Sequence, residues 1–193
     1  MVGMGHPLFF IAEAGVNHNG SLDLGKKLID IAVEAKADAV KFQTFKAETI
    51  VSKNATKASY QISNSKNKNE TQFEMLKQLE LSEKDHYVLL KYCNSKKVKF
   101  LSTAFDSKSL NFLVNDLGLK TLKISSGDIT NIPFLLEHAR TELDLILSTG
   151  ISTLDEIEEA LSVIAFGLTN KLEELPSKEK CIQAYSSKVG LQA

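Results

Sequence analysis

Glu13, Lys41 and Lys123 stand where charged side chains are unexpected, at or inside short apolar runs. Glu13 directly follows Phe9-Phe10-Ile11-Ala12, Lys41 interrupts Ala39–Phe42, and Lys123 interrupts Thr121–Ile124. A carboxylate so placed is costly to bury unless it has a partner or a task. Two lysines joined by hydroxyls and glycine-bearing turns describe an anion pocket, in which backbone N–H groups at helix starts also hold phosphate or carboxylate oxygens. Every apolar run leads into such a cluster. The first leads to Glu13 and Asn17-His18-Asn19-Gly20, and the second to Lys41, Gln43 and Thr44. The third leads to Ser102-Thr103, the fourth to Lys123 and Ser125-Ser126-Gly127-Asp128, the fifth to Ser148-Thr149-Gly150. A Ser/Thr-Gly pair after a strand is also a common turn or cap, and His18 can serve a turn as readily as a substrate. His6, His86 and His138 fall at the chain end or on expected helical surfaces and receive no role.

The elements that position these clusters alternate. Short runs rich in strand formers are expected at Leu8–Ala12, Ala39–Phe42, Val98–Leu101, Thr121–Ile124 and Leu143–Leu147. Helical periodicity separates them: Leu24, Leu28, Ile31 and Ala35 share one face, as do Leu110, Leu113, Val114 and Leu117, and Ile157, Ala160, Leu161 and Ile164. Ser82 to Asp85 and Thr153 to Glu156 read as capping boxes, and Asp106 as an N-cap. Nearly continuous apolar strands imply cover on both faces, and βα units in series argue for a parallel α/β fold. The stretch from Phe45 to Leu79 is polar and reads as a surface excursion with a short helix near Phe73–Leu79. Periodicity does not separate an open doubly wound sheet from a closed barrel. In a parallel barrel, however, the strand C-terminal ends converge on the active-site face. No GxGxxG follows the first strand and no GxxxxGK[ST] loop occurs, so dinucleotide and P-loop sites lack support.

Lys+Arg 23 against Asp+Glu 24 over 193 residues gives no global charge for nucleic acid or an acidic membrane. Cys93 and Cys181 are far apart and outside metal-binding spacing, as in reduced thiols of a cytoplasmic protein. No apolar run is long enough for a membrane span.

The motifs resemble a known family. Ile11-Ala12-Glu13-Ala14-Gly15-Val16-Asn17-His18-Asn19-Gly20 is similar to the opening motif of the bacterial N-acetylneuraminate synthases, a family that includes legionaminate and pseudaminate synthases. The similarity continues through Ala39–Phe45, Leu101–Asp106, Lys123–Asp128 with Asn131-Ile132-Pro133, and Leu147–Gly150. In the excursion, Lys57–Gln61 and Gln72–Leu76 also resemble the family. The resemblance implies a TIM-type (β/α)8 barrel followed by a small antifreeze-like domain. It also implies a metal-dependent condensation of phosphoenolpyruvate with an open-chain N-acetylhexosamine, such as N-acetylmannosamine, to a nonulosonic acid and phosphate. By motif, Lys41, Thr103, Lys123, Ser126 and Ser148 would bind phosphoenolpyruvate, Glu13 would be the acid/base carboxylate, and Gln43 and Asn17 would face the sugar.

The C-terminal region departs from that pattern. Lys180–Lys188 aligns with the family's sixth strand but lacks its His and Pro. The family's two histidine ligands for a divalent metal (Mn2+ or similar) match none of the four histidines present. The expectation is a barrel truncated after five to six βα units, without the last strands or the antifreeze-like domain. It has small-molecule substrates, no nucleic-acid or membrane partner, and a homodimeric family. The alternative is a non-catalytic fragment that retains at most phosphoenolpyruvate binding or serves as an assembly partner. A related enzyme condensing phosphoenolpyruvate with phosphorylated aldoses fits the motifs less well.

Overall fold

The computed structural model describes residues 5–57, 70–170 and 173–187. The chain divides into two compact units, Met1–Ser102 and Thr103–Ala193. Five strands are hydrogen-bonded in chain order, with β1–β2, β3–β4 and β4–β5 parallel. This is a parallel α/β sheet, and the chain passes from the first unit to the second within β3.

The first unit contains β1 (Ile11–Gly15), α1 (Leu22–Glu34), β2 (Ala39–Thr44), α2 (Ala47–Ile50), α3 (Gln72–Leu79), α4 (Glu83–Lys96) and the start of β3 (Lys99–Ala104). β1 begins three residues later than the apolar run suggests, and Leu8 and Phe10 are exposed. Phe10 ties itself instead to the turn before β2, its N–H donating to Asp38 Oδ2 at 2.7 Å. The expected face of α1 is also corrected. Leu24 and Ile31 are exposed, whereas Gly25, Ile29 and Ala32 are buried. The reason is close packing: a Cβ built on Gly25 would lie 3.1 Å from Leu89 of α4, so a narrow, small-residue stripe faces that helix. The capping boxes of α3 at Thr71 and of α4 at Ser82 are both formed.

The second unit contains the end of β3, α5 (Ser107–Asn111) running into a π turn (Phe112–Asp116), and β4 (Thr121–Ile124). It continues with a 3-10 turn (Ser126–Asp128), α6 (Ile132–Ala139), β5 (Asp144–Leu147), α7 (Leu154–Thr169) and α8 (Lys178–Tyr185). Asp106 caps α5 and Thr153 starts α7 with a full capping box. Ile124, Leu135, Val163 and Phe166 form the core of this unit, each contributing about 1.5–3 kcal/mol by burial. The segment aligned with a sixth strand is corrected: Ser177 caps a helix there, and Cys181 and Ala184, three residues apart, bury into the same core. Five strands are present among the described residues. Ala58–Gln61 of the excursion and the last residues from Lys188 lie outside them. Among the described residues no helix is long and apolar enough to cross a membrane.

Candidate active site

In the first unit the register of β1 on β2 sets Glu13 opposite Lys41. Their side chains meet, Lys41 Nζ lying 2.6 Å from Glu13 Oε2. Lys41 is buried, only 8 % exposed, while the Glu13 side chain stays 55 % exposed. Glu13 thus has a partner, but the lysine is the buried member of the pair and the carboxylate faces solvent. After Glu13 the register slips, placing Gly15 opposite Phe42, with Gly15 at φ +52°. A Cβ at Gly15 would stand 3.4 Å from Glu13 Oε1 and 3.7 Å from Gln43 Nε2, so both side chains border that turn of backbone. Glu13, Lys41 and Gln43 are thus brought together. Asn17 is not joined to them: its amide donates to the Ala14 carbonyl at 3.1 Å and closes the turn. His18 also serves the turn, accepting from Gly20 N–H at 3.0 Å through Nδ1, and is fully buried.

In the second unit Thr103 pairs with Lys123 across β3 and β4. Thr103 is buried. Lys123 Nζ donates to the Ile124 carbonyl at 2.6 Å, and the Ser148 N–H donates to the same carbonyl at 3.1 Å. The β5 end therefore lies beside the lysine. Ser126 faces the same turn, its Oγ standing 3.6 Å from where a Cβ on Gly150 would be. Ser125 is a cap, its Oγ accepting from Gly127 N–H. Lys123, Ser126 and the Ser148–Gly150 turn form one polar cluster at the ends of adjacent strands, which is anion-binding chemistry.

The chain is matched over residues 28–190 by the model of the NeuB family. It belongs to that family. N,N'-diacetyllegionaminic acid synthase from Legionella pneumophila is 50% identical over 92% of this chain and 49% of its own length. The Campylobacter jejuni enzyme of the same name is 51% identical over 80% of this chain and 46% of its own. A crystal structure of N-acetylneuraminic acid (sialic acid) synthetase from Leptospira borgpetersenii serovar Hardjo-bovis, in complex with citrate, matches with a TM-score of 0.70. Its identity is 34%, over 86% of this chain and 55% of that one. The chain spans about half the length of the curated relatives it matches.

Sequence reasoning missed three features of this NeuB-family chain. Asp128, on the turn that carries Ser126, has its pKa raised by burial, partly opposed by Asn131 and Lys123. Lys57 and Glu70 form a buried ion pair at 2.6 Å. His86 and His138, expected on helical surfaces, are buried, only 2% and 0% exposed. The i, i+3, i+7 spacing of His86, Leu89 and Cys93 was the available signal for the first of them.

Proposed function

We propose that this chain carries the phosphoenolpyruvate-binding and proton-transfer residues of a nonulosonic acid synthase. On this reading it is the N-terminal part of a (β/α)8 barrel. The observation that carries it is the ion pair between a buried Lys41 and a solvent-facing Glu13, with Gln43 alongside. A strand order that never reverses supports a barrel over a doubly wound sheet, whose order reverses at its switch point.

Lys41, Thr103, Lys123, Ser126 and Ser148 hold the phosphate and carboxylate of phosphoenolpyruvate, cancelling its charge and fixing the enol. Its C3 attacks the aldehyde carbon of an N-acetylated hexosamine, and the aldehyde oxygen takes up a proton. Water adds at C2, and the resulting tetrahedral carbon expels phosphate to leave the keto acid. Glu13 moves the proton at that centre. Gln43 faces the sugar, and Asn17, whose amide closes the β1–α1 turn, is assigned to the sugar by the resemblance alone. Among the described residues no group of three His, Cys, Asp or Glu side chains is placed to hold a metal ion. The divalent metal implied by the resemblance therefore finds no fit there, and none of these steps is routed through it.

The test is to incubate the chain with phosphoenolpyruvate and either N-acetylmannosamine or a diacetamido hexose, with and without manganese, and to measure phosphate and keto acid together. The diacetamido sugar is included because the relatives of 50 and 51% identity are named for a diacetylated product. Equimolar release of both products supports the reading. A second reading, binding without turnover, is favoured by the 49% coverage of the Legionella relative. Calorimetric binding of phosphoenolpyruvate without either product selects it, and absence of binding removes both.

A further inference from the structure

His86 is a buried polar side chain of the first unit that the proposed chemistry does not use. Its Nδ1 lies 2.9 Å from the Ser82 carbonyl, which can only accept, so that nitrogen carries a proton. Its Nε2 lies 2.9 Å from Thr44 Oγ1, and Thr44 Oγ1 lies 2.7 Å from Ser102 Oγ. In the neutral ring, Nε2 has a lone pair. Thr44 then donates to His86 and accepts from Ser102, giving the chain one direction. Three elements, α4, β2 and β3, are thereby pinned around one threonine hydroxyl.

We propose that His86 is the positioning residue for the C-terminal end of β2, fixing through Thr44 and Ser102 the backbone from which Lys41 and Gln43 project. What Lys41 and Gln43 do rests on the phosphoenolpyruvate reading above; the relay itself does not. Losing either link removes a buried side-chain hydrogen bond that ties β2 to a neighbouring element, so the placement of the strand end is at stake. The charged and titratable groups facing His86 are Asp85 on its own helix, Lys46 after β2 and His18 from the β1–α1 turn. Burial holds the ring below its ordinary pKa, with the Ser82 carbonyl opposing. Protonation would turn Nε2 into a donor, and the Thr44 and Ser102 hydroxyls would have to rotate.

The experiment uses the full chain and phosphoenolpyruvate as probe. It follows amide hydrogen exchange at Gln43 and Thr44 and calorimetric affinity, each across pH 5 to 8. His86→Phe and Thr44→Val are expected to speed exchange at both amides at least tenfold and to weaken binding at least fivefold. His86→Gln, whose amide can reach Thr44, is expected to recover most of the affinity and to show a smaller acid step in exchange than the parent, with His18 and His138 still contributing. Wild-type exchange and affinity in folded Thr44→Val overturn the proposal even where His86→Phe does not fold. An acid step in His86→Gln as large as the parent's also overturns it. If the parent chain binds no phosphoenolpyruvate, the proposed function falls alone, and the exchange comparison still decides the positioning.

Discussion

Lys41 has given up nearly all contact with water, and an ammonium in that state needs an anion beside it. Glu13 provides one at 2.6 Å while its own side chain remains in solvent. On the proposed reading, a phosphate or carboxylate arriving from solvent competes with Glu13 for this buried cation. Two substitutions separate these roles. Lys41→Met keeps the buried stem and removes the charge. It is expected to weaken phosphoenolpyruvate binding at least tenfold by calorimetry, the scale of a lost charge-assisted contact, about 1.5–3 kcal/mol. Glu13→Gln is expected to bind within about threefold of the parent yet release phosphate roughly 10²–10⁴-fold more slowly, as for a lost acid/base group. A Glu13→Gln variant that loses binding and turnover together would make Glu13 part of the anion site. Asp128 gives a prediction of opposite sense. Its raised pKa means that folding opposes its charge, so stability falls as pH rises from its ordinary value of 3.8 through the raised one. Asp128→Asn should raise the urea midpoint at pH 7 and leave it unchanged below pH 3.8, where both states are protonated.

At the scale of elements, the β1–α1 turn is the tightest joint. Gly20 has φ +73°, and a Cβ there would lie 2.3 Å from the Gln78 carbonyl of α3. Gly20→Ala combines left-handed strain with a clash against backbone and should cost about 2–4 kcal/mol, read as a lowered urea midpoint. This joint also marks the limit of what the sequence conveys. The strand at Thr121–Ile124, the caps at Ser82, Asp106 and Thr153, and the helix near Phe73 were legible because they depend on a few neighbouring residues. The start of β1 and the buried face of α1 were not, because distant partners set them: Asp38 captures Phe10, and Leu89 selects Gly25 over Leu24. At the site, Glu13, Lys41 and Lys123 stood out as charges among apolar neighbours. Thr44 and Ser102 were legible as strand-end hydroxyls, but their relay to His86 was not, since it joins residues up to 58 positions apart.

Over the whole molecule, the three buried histidines set the response to acid. His18, His86 and His138 all have pKa values lowered from 6.5, with burial the largest cause in each. The sign follows from linkage. Above the unfolded value both states are neutral and nothing is lost; below it the unfolded chain takes up protons that the folded chain refuses, so stability falls as pH drops. The loss begins near pH 6.5 and ends where the folded chain also protonates. It is separate from any effect of the lowered carboxylates Asp30, Glu48 and Glu179, whose ordinary values of 3.8 and 4.5 lie far below. Each refused proton contributes at most about 1.4 kcal/mol per pH unit. Urea unfolding of the whole chain between pH 7.5 and 5 should therefore show stability falling as pH drops, with a slope of at most three protons. His138, stacked edge-on to Phe134 at 4.4 Å with its Nδ1 bonded to the Phe134 carbonyl, belongs to the second unit's helix α6 and touches none of the proposed chemistry. His138→Gln should remove one proton from the slope and leave phosphoenolpyruvate affinity unchanged. A pH-independent midpoint in the parent would mean that the folded chain accepts these protons, and that burial of the histidines imposes no acid limit on the fold.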